Sequence, residues 1–184
     1  MKLWLIRHAA VALPPGLCYG TTDAPALADA TLAAAEAVAA TLPRHVPLWV
    51  SGLTRAQQLA AALQRLRPDL GAARVEPRLN EMDFGRWEMQ AWEAIPRAAF
   101  DDWMADFSHH RFGGEESTQQ VIDRVAEVVL ELHAAGIREA AWVTHAGVVR
   151  AALYLREHGR RVIEGAHEWP ERVIEPGGCV ELVF

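Results

Sequence analysis

The length, composition and charge of the chain favour one globular domain and exclude several functional classes. With 184 residues, 51% of them apolar and 23% charged, the chain is long enough for one sizeable hydrophobic core. The net charge of −6 argues against a nucleic-acid partner, because proteins that bind nucleic acids usually carry a basic face. No apolar run approaches the length of a membrane span and no signal-peptide pattern is visible, so we expect no membrane partner. The widely separated Cys18 and Cys179 favour reduced thiols in a cytoplasmic protein over a disulfide.

In its N-terminal half the chain alternates short apolar runs with helical patterns. Apolar runs bounded by polar and turn residues are typical of buried strands in a parallel sheet. The loop after the first run is long and rich in Pro, Gly and Thr, and such loops are often functional. The pattern predicts, in order, a strand over residues 2–6, this loop over 9–25, a helix over 28–42, a strand over 46–50, a helix over 55–66 and a short strand over 74–76.

The C-terminal half begins irregularly and then returns to the same alternation. We expect an irregular segment over 77–88, a helix that starts near Ala91, and a cap over the sheet ends formed by residues 89–116. Ser117 favours an N-cap and Gly136 a stop for a helix with a valine-rich face. The remaining predicted elements are that helix to about residue 135, a strand over 140–144, a helix over 148–157 and a last strand over 178–184. This alternation predicts an α/β fold, a three-layer α/β/α sandwich with a mostly parallel, mixed central sheet, in a single domain over residues 1–184.

Basic residues follow three of the predicted strands. Arg7 and His8 end the first strand, Arg55 comes shortly after the second, and His145 ends the fourth. Ligands of open parallel sheets bind beyond the carboxyl ends of the strands. If these strands are neighbours, two arginines and two histidines meet at one place. Guanidinium groups suit phosphate oxygens, and a neutral, oriented histidine can attack phosphorus.

Each of these residues also has a structural interpretation when it is taken alone. A histidine at a strand end is commonly held by backbone hydrogen bonds, and a lone Arg55 commonly points to solvent or pairs with a carboxylate. Metal binding by His8 and His145 is a competing interpretation, but it needs a further ligand and the neighbouring arginines would repel the cation. We therefore expect no metal and no cofactor. For His109 and His110 in the cap, substrate contact and plain exposure both stay open.

Five motifs in the chain occur in an order that resembles the histidine phosphatase, or phosphoglycerate mutase-like, superfamily. Within it, the chain looks most like the short bacterial branch that includes α-ribazole phosphatase. Each motif alone is loose, but the five together are specific. The motifs are Leu-Ile-Arg-His at 5–8, Ser-Gly-Leu-Thr-Arg-Ala at 51–56, Glu-Met-Asp-Phe-Gly-Arg-Trp-Glu at 81–88, Gly-Glu-Glu-Ser at 114–117 and Thr-His-Ala-Gly-Val at 144–148.

The resemblance implies a phosphoglycerate mutase-like fold and a role for each matching position. His8 would be the nucleophile that forms a phosphohistidine, and Glu81 would be the general acid and then the general base. The residues alone do not distinguish Glu81 from Asp83 or Glu88. The resemblance further implies that Arg7, Arg55, His145 and the helix start at Ala146 bind the phosphoryl oxygens, and that Tyr19 and Gly20 line the substrate side.

The chain departs from the family pattern at several positions. Ala9 follows the nucleophile where the family usually has Gly, and a Cβ is tolerated there unless the backbone needs a positive φ. Gly52 stands in place of the usual Pro, and Met89 takes a place where Gly is common. The usual Glu-Thr and downstream Asn are replaced as well, by Ala10, Val11 and Pro14.

Together, the residues and the resemblance predict a cofactor-independent phosphoric monoester hydrolase of the histidine acid phosphatase type. Its substrate would be a small phosphorylated metabolite, with α-ribazole 5′-phosphate as a candidate. A mutase that returns the phosphoryl group to another hydroxyl is an alternative, although the chain is short for one. A non-catalytic phosphate-binding relative is the other alternative. The oligomeric state is left open, with a homodimer contact near Trp169 as one option.

Overall fold

A five-stranded sheet forms the centre of the fold in the computed structural model, which describes residues 1–172 and 174–184. The strand order is β3-β2-β4-β1-β5. All neighbouring pairs are parallel except β5, which runs antiparallel to β1. The strands are β1 (Lys2–Arg7), β2 (Leu48–Val50), β3 (Arg74–Val75), β4 (Glu139–Thr144) and β5 (Cys179–Val183). The predicted mixed, mostly parallel sheet is therefore confirmed.

Helices cover both faces of the sheet because successive strand side chains point to opposite sides. In β1, Leu3 and Leu5 pack toward α4 (Thr118–Ala134) and α5 (Ala146–His158), whereas Trp4 and Ile6 pack toward α1 (Ala28–Ala39) and α2 (Thr54–Leu66). All four side chains are buried, and each contributes roughly 1.5–3 kcal/mol to burial-driven stability. The helices are α1 (Ala28–Ala39), α2 (Thr54–Leu66), α3 (Arg97–Ala105), α4 (Thr118–Ala134) and α5 (Ala146–His158). The three-layer α/β/α sandwich is thus the observed architecture.

The boundaries of α4 follow the sequence signals closely. Ser117 caps the helix through a capping box, in which its hydroxyl accepts from the Gln120 N–H and the Gln120 side chain accepts from the Ser117 N–H. Gly136, with a φ of +70°, follows the C-terminus of this helix. The predicted cap residue and stop residue are both confirmed.

Other boundaries differ from the predictions for local reasons. The helix expected near Ala91 is only a 3₁₀ turn over Trp92–Ala94, and α3 begins at Arg97. Pro96 disfavours helical dihedrals at the residue before it, so the turn does not continue into α3. Helix α5 begins at Ala146, two residues earlier than predicted. The irregular 77–88 segment contains short 3₁₀ turns at Pro77–Leu79 and Gly85–Trp87.

Two further sequence-based expectations concern the thiols and the membrane. Cys18 and Cys179 are free, and burial raises the pKa of the Cys18 thiol to about 12 and that of Cys179 to about 11. Neither thiol is therefore a ready nucleophile at neutral pH. Within residues 1–172 and 174–184, no helix has the length and apolar character needed to cross a bilayer.

Candidate active site

The carboxyl ends of three adjacent strands meet at one cavity. Because β4 lies between β1 and β2, the residues that follow these strands converge. The rings of His8 and His145 have centroids 5.0 Å apart. The cavity has a volume of about 380 Å³. Its lining includes the predicted site residues Arg7, His8, Tyr19, Gly20, Glu81 and Ala146, whereas Arg55 and His145 are fully buried and are not part of this lining.

His8 is held in one tautomer by its neighbour along the chain. Its Nδ1 lies 2.7 Å from the carbonyl oxygen of Ala9. Because a carbonyl only accepts, Nδ1 carries the proton and Nε2 keeps its lone pair. Burial lowers the pKa of His8 from 6.5 to about 3, the Ala9 hydrogen bond opposes that shift, and the positive charges of Arg55 and Arg7 add to it. The imidazole is therefore neutral at physiological pH, with a lone pair on Nε2.

The substitution of Ala9 for the usual Gly is compatible with this arrangement. The non-glycine residues with positive φ in the described ranges are His45 and Met89, so Ala9 does not require a glycine-like conformation. Its carbonyl is the group that orients His8. The Met89 backbone, by contrast, has a φ of +64°, the left-handed region that a glycine would occupy without strain.

His145 is fully buried and bound to Ser51. Its Nε2 lies 2.7 Å from the Ser51 hydroxyl oxygen, which lies 2.8 Å from Asn80 Oδ1. The N–H of Gly52 also donates to Asn80 Oδ1 over 2.7 Å, which fixes that atom as oxygen. Ser51 must therefore donate to Asn80 and accept from His145, so Nε2 of His145 carries the proton.

The opposite ring nitrogen of His145 is left as an acceptor. Burial, first of all, and the nearby charge of Arg55 lower the pKa of His145 well below its ordinary value, so the ring is neutral. Its Nδ1 is buried and has no hydrogen-bond partner among the described residues. The sequence motif had identified Ser51 but gave no role to Asn80, because the contact joins residues 29 positions apart.

The two arginines are anchored by backbone carbonyls instead of carboxylates. Arg55, which is fully buried, donates from Nη1 to Thr22 O over 2.7 Å and from Nη2 to Gly20 O over 2.6 Å. Arg7 donates from Nη1 to Ile174 O over 2.8 Å. The Nε atoms of both arginines are buried and have no partner within the described part of the chain.

This anchoring leaves positive charge concentrated at the strand ends. Burial lowers the pKa of Arg55, although the negative charge of Glu81 opposes that shift. Arginine nevertheless stays protonated in proteins. The guanidinium carbon of Arg55 also lies 5.1 Å from the ring centre of Tyr19, within cation–π distance. The site therefore favours an anion that can accept from several buried N–H groups.

Glu81 faces the cavity and is held by the start of α5. Its Oε2 accepts from the Gly147 N–H over 3.1 Å, and its Oε1 accepts from the Met82 N–H over 2.9 Å. A Cβ at Gly147 would lie 2.3 Å from Glu81 Oε1, so only glycine leaves room for the carboxyl group. The helix start thus positions Glu81, and Ala146 beside it lines the cavity.

Glu88 has a structural task that distinguishes it from Glu81. Its Oε1 accepts from the Thr21 and Phe84 N–H groups, and its Oε2 accepts from the Thr22 N–H and hydroxyl. Burial alone would raise the pKa of Glu88, but these hydrogen bonds hold it below its ordinary value. Gly20 packs so closely here that a Cβ would lie 2.4 Å from Glu88 Oε1. Glu88 therefore holds the loop that carries Tyr19 and Gly20.

The remaining histidines and candidate metal ligands lie outside the cavity. Neither His109 nor His110 belongs to its lining. In the described part of the chain, the side chains close enough to share a metal ion are Glu164, His167 and Glu168, and none of them lines the cavity. Arg150, which had no predicted role, and Trp169, near which a dimer contact was one open option, both line the cavity. A helix period that places Ala146 and Arg150 on one face was the available signal for Arg150.

Comparison with known proteins gives a consistent result. A model of the histidine phosphatase superfamily (branch 1) matches residues 3–162. The solved structure of TTHB049 from Thermus thermophilus is 29% identical, with a TM-score of 0.72 over 99% of this chain and 93% of that chain. A phosphoglycerate mutase from the same organism is also 29% identical, with a TM-score of 0.71 over 99% of this chain and 92% of that chain.

A third structure agrees in fold. A mycobacterial glucosyl-3-phosphoglycerate phosphatase in complex with VO3 has a TM-score of 0.80 at 23% identity, over 99% of this chain and 90% of that chain. No curated protein gives a significant match. Since the family match spans most of the chain and its paired histidines meet at the strand ends, this chain belongs to the histidine phosphatase superfamily.

Proposed function

We propose that the chain is a phosphomonoesterase that works through a phosphohistidine on His8. The observation that carries the proposal is a group of buried nitrogens without partners beside a neutral histidine. Arg7 Nε, Arg55 Nε and His145 Nδ1 are all buried and unpartnered in the described residues. An unpaired buried N–H is costly, so the two arginine Nε atoms are favoured where a ligand supplies oxygens, whereas the unprotonated Nδ1 of His145 needs a proton before it can donate to one. A phosphoryl group offers several oxygen acceptors at once.

In the first step, Nε2 of His8 attacks phosphorus and the P–O bond to the alcohol breaks. The lone pair on Nε2 is available because Nδ1–H is bound to the Ala9 carbonyl. The phosphorylated ring then carries a positive charge, which the same carbonyl stabilises. Arg7 and Arg55 balance the charge on the phosphoryl oxygens as the bond breaks. His145 contributes a donor if its Nδ1 takes up a proton when the dianion binds.

Glu81 supplies and then removes a proton. As a carboxylic acid it protonates the leaving alkoxide, and the carboxylate that remains accepts a proton from the attacking water in the second step. That water forms a new P–O bond while the P–N bond to His8 breaks, so inorganic phosphate and neutral His8 are regenerated. Glu81 lines the cavity together with His8 and is held there by the Gly147 N–H, which supports this role.

The test is turnover in a chelator, followed by capture of the intermediate. We expect p-nitrophenyl phosphate to be hydrolysed without metal, and rapid acid-free quenching to trap a phosphoryl group that is stable to alkali. His8→Ala should abolish both signals, whereas His133→Ala on the exposed side of α4 should retain them. Retained phosphate binding without turnover of any monoester would contradict the hydrolase and favour a binding protein.

A mutase is the second candidate, and the structural similarity to a phosphoglycerate mutase supports keeping it. A mutase would move the phosphoryl group between hydroxyls of one substrate without net release of phosphate. Measuring inorganic phosphate beside positional exchange separates the two reactions. For the hydrolase, we propose that the substrate is a small phosphorylated metabolite of the cytoplasm, and α-ribazole 5′-phosphate is one candidate.

A further inference from the structure

The cavity continues beyond the reacting groups as an apolar chamber. His8 and Glu81 mark the end where phosphorus would react. Most of the remaining wall consists of carbon-rich side chains, and apart from Arg7 the other polar side chains in it are those of Tyr19, Thr118 and Arg150. The carbon-rich side chains are Leu17, Met82, Phe84, Trp92, Trp103 and Trp169. The alcohol part of a phosphomonoester bound at His8 would lie against this wall.

The aromatic part of the wall is held rigidly from behind. Trp103 stacks on Phe112 with ring centroids 4.5 Å apart, and its indole N–H donates to Thr118 Oγ1 over 3.2 Å. Phe84 meets Trp92 edge to face at 5.4 Å. The rings of Phe84, Trp92 and Trp103 are half-buried, so one part of each packs in the interior and another part lines the cavity. A preordered aromatic surface binds a flat ring without the cost of ordering flexible side chains.

One cation in the chamber has no partner among the described residues. Arg150 lies one turn beyond Ala146 on α5, about 6 Å along the helix axis. Its side chain lines the cavity, its Nε is buried, and no hydrogen bond or ion pair joins it to the described part of the chain. An unpaired guanidinium beside apolar walls favours an oxygen or nitrogen acceptor on the ligand.

We propose that this chamber selects phosphomonoesters whose alcohol carries a flat aromatic ring with an acceptor for Arg150. The inference rests on the proposed function, because it assigns the leaving-group side of the same cavity. A sugar would leave several hydroxyls against tryptophan and phenylalanine faces, and each unpaired hydroxyl costs binding energy. The ester of a short carboxylated alcohol, such as phosphoglycerate, would offer Arg150 a carboxylate but would make no contact with the aromatic wall.

Matched substrates with the same kind of leaving group test the ring. Ethyl phosphate and 2-phenylethyl phosphate are both esters of primary alcohols, so they differ mainly in the aryl group. We expect kcat/KM to be roughly tenfold or more higher for the phenyl compound, from burial of the ring. We likewise expect inosine 5′-monophosphate to exceed ribose 5-phosphate by roughly tenfold, from stacking of the base.

Variants of the wall and of Arg150 test the two halves of the inference separately. Trp169→Ala should lower the phenylethyl-to-ethyl ratio by roughly fivefold, because it removes aromatic wall. Met104→Ala, at an exposed position on α3, is the control and should leave the ratio unchanged. Arg150→Met should lower kcat/KM roughly tenfold more for inosine 5′-monophosphate than for 2-phenylethyl phosphate, whose ring has no acceptor.

The outcomes separate this inference from the proposed function. The aromatic subsite would be overturned by equal kcat/KM for 2-phenylethyl phosphate and ethyl phosphate, or by a higher kcat/KM for glucose 6-phosphate or 3-phosphoglycerate than for the aromatic esters. Either result would leave the proposed phosphatase activity intact. If no monoester is hydrolysed, the proposed function fails, and the subsite is then judged by affinity alone. In that case quenching of tryptophan fluorescence should still report tighter binding of 2-phenylethyl phosphate than of ethyl phosphate, and equal affinities would overturn it.

Discussion

Ser51 accepts the Nε2 proton of His145 across 2.7 Å, and this contact fixes which nitrogen of the buried imidazole carries hydrogen. The direction of this hydrogen bond follows from the next partner, because Asn80 Oδ1 accepts hydrogen bonds from both the Ser51 hydroxyl and the Gly52 N–H. Proline, usual in the family at position 52, has no N–H to give. Glycine in place of proline at position 52 therefore adds the N–H donor that orients Asn80.

Removing the Ser51 hydroxyl should impair the proposed reaction and also lower the stability of the fold. In Ser51→Ala, His145 Nε2 loses its buried acceptor and the ring is free to exchange tautomers. We expect kcat/KM to fall by roughly tenfold or more because the ring is no longer held in one tautomer, and the free energy of unfolding to fall by about 1–3 kcal/mol because a buried donor is left unpaired. Thr54→Ala is the matched control, because its hydroxyl at the start of α2 bonds Asp23 outside the cavity lining. Similar activity of the two variants would show that the His145 tautomer is unimportant.

The neutral state of His8 predicts how stability changes with pH. The unfolded chain binds a proton at this residue near pH 6.5, whereas the folded chain does so only near pH 3. Between these values the unfolded state holds more protons, so this contribution to stability is complete above pH 6.5 and is lost as the pH falls. The slope approaches about 1.4 kcal/mol per pH unit for one histidine.

Urea denaturation between pH 5 and 6.5 measures that slope before most carboxylates titrate. His8→Asn should reduce the slope by the share of one histidine, because the unfolded-state proton is removed with the side chain, while His145, whose pKa burial also lowers, keeps its own share. His133→Asn, at an exposed site on α4, should leave it as it is. An unchanged slope in the His8 variant would mean that the folded imidazole already carries a proton in this range.

The two carboxyl groups of the 81–88 motif should respond differently to amide substitution. Glu81→Gln removes the proposed proton donor, so kcat/KM for an alkyl phosphate, which covers only the steps up to the phosphohistidine, should fall by roughly 10²-fold or more. The loss should be much smaller for p-nitrophenyl phosphate, because its phenolate leaves without a proton. Glu88→Gln replaces one of the two accepting oxygens by an N–H donor that faces other N–H and O–H donors, so it should lower the melting temperature.

The leaving-group comparison distinguishes these cases. For Glu88→Gln, the ratio of alkyl to aryl phosphate hydrolysis should stay near that of the parent protein, since no proton donor is lost. If Glu81→Gln slowed both esters equally, the acid role would pass to another group. Such an outcome would leave Glu81 as a group that accepts the Gly147 N–H without giving a proton to the leaving group.

The sequence predicted the sheet and the convergence of the strand ends because these follow from periodicity and from one topological rule. Apolar runs placed the strands, and ligand sites in open sheets lie beyond their carboxyl ends. Contacts that depend on side-chain direction were not accessible in the same way. Glu81 and Glu88 share one motif, yet Gly147 holds the first and Thr21 and Thr22 hold the second. Only the three-dimensional path of the loop separates their tasks.

The aromatic chamber shows the same limit. A tryptophan in a cap segment or near the C-terminus has no sequence signature that tells a cavity wall from a surface contact. The sequence left a dimer contact near Trp169 open, and in the structure Trp169 packs edge to face against Phe107 and lines the cavity. Predicting this requires the position of α3 relative to α5, which periodicity does not give.

Gly147 should be required for activity but not for folding. Alanine there would place a Cβ 2.3 Å from Glu81 Oε1, so the carboxyl group must leave its position. Alanine is a better helix former than glycine, so the fold should not suffer. We expect kcat/KM for an alkyl phosphate to fall by roughly tenfold or more, with an unchanged or higher melting temperature. Because both changes act on one carboxyl group, adding Gly147→Ala to Glu81→Gln should cost little further activity.

Met89 should be a site where glycine stabilises the fold. Its backbone has a φ of +64°, and a non-glycine residue pays roughly 1 kcal/mol in that region. The side chain is 46% exposed, so little packing is lost when it is removed. Glycine also gains entropy in the unfolded chain, which offsets part of the relief, and we expect Met89→Gly to gain about 0.5 kcal/mol in urea denaturation. Met104→Gly, at an equally exposed position inside α3, should instead lose about 1 kcal/mol, because helical dihedrals suit methionine better than glycine. Destabilisation of similar size in both variants would mean that the Met89 side chain contributes more than its exposure suggests.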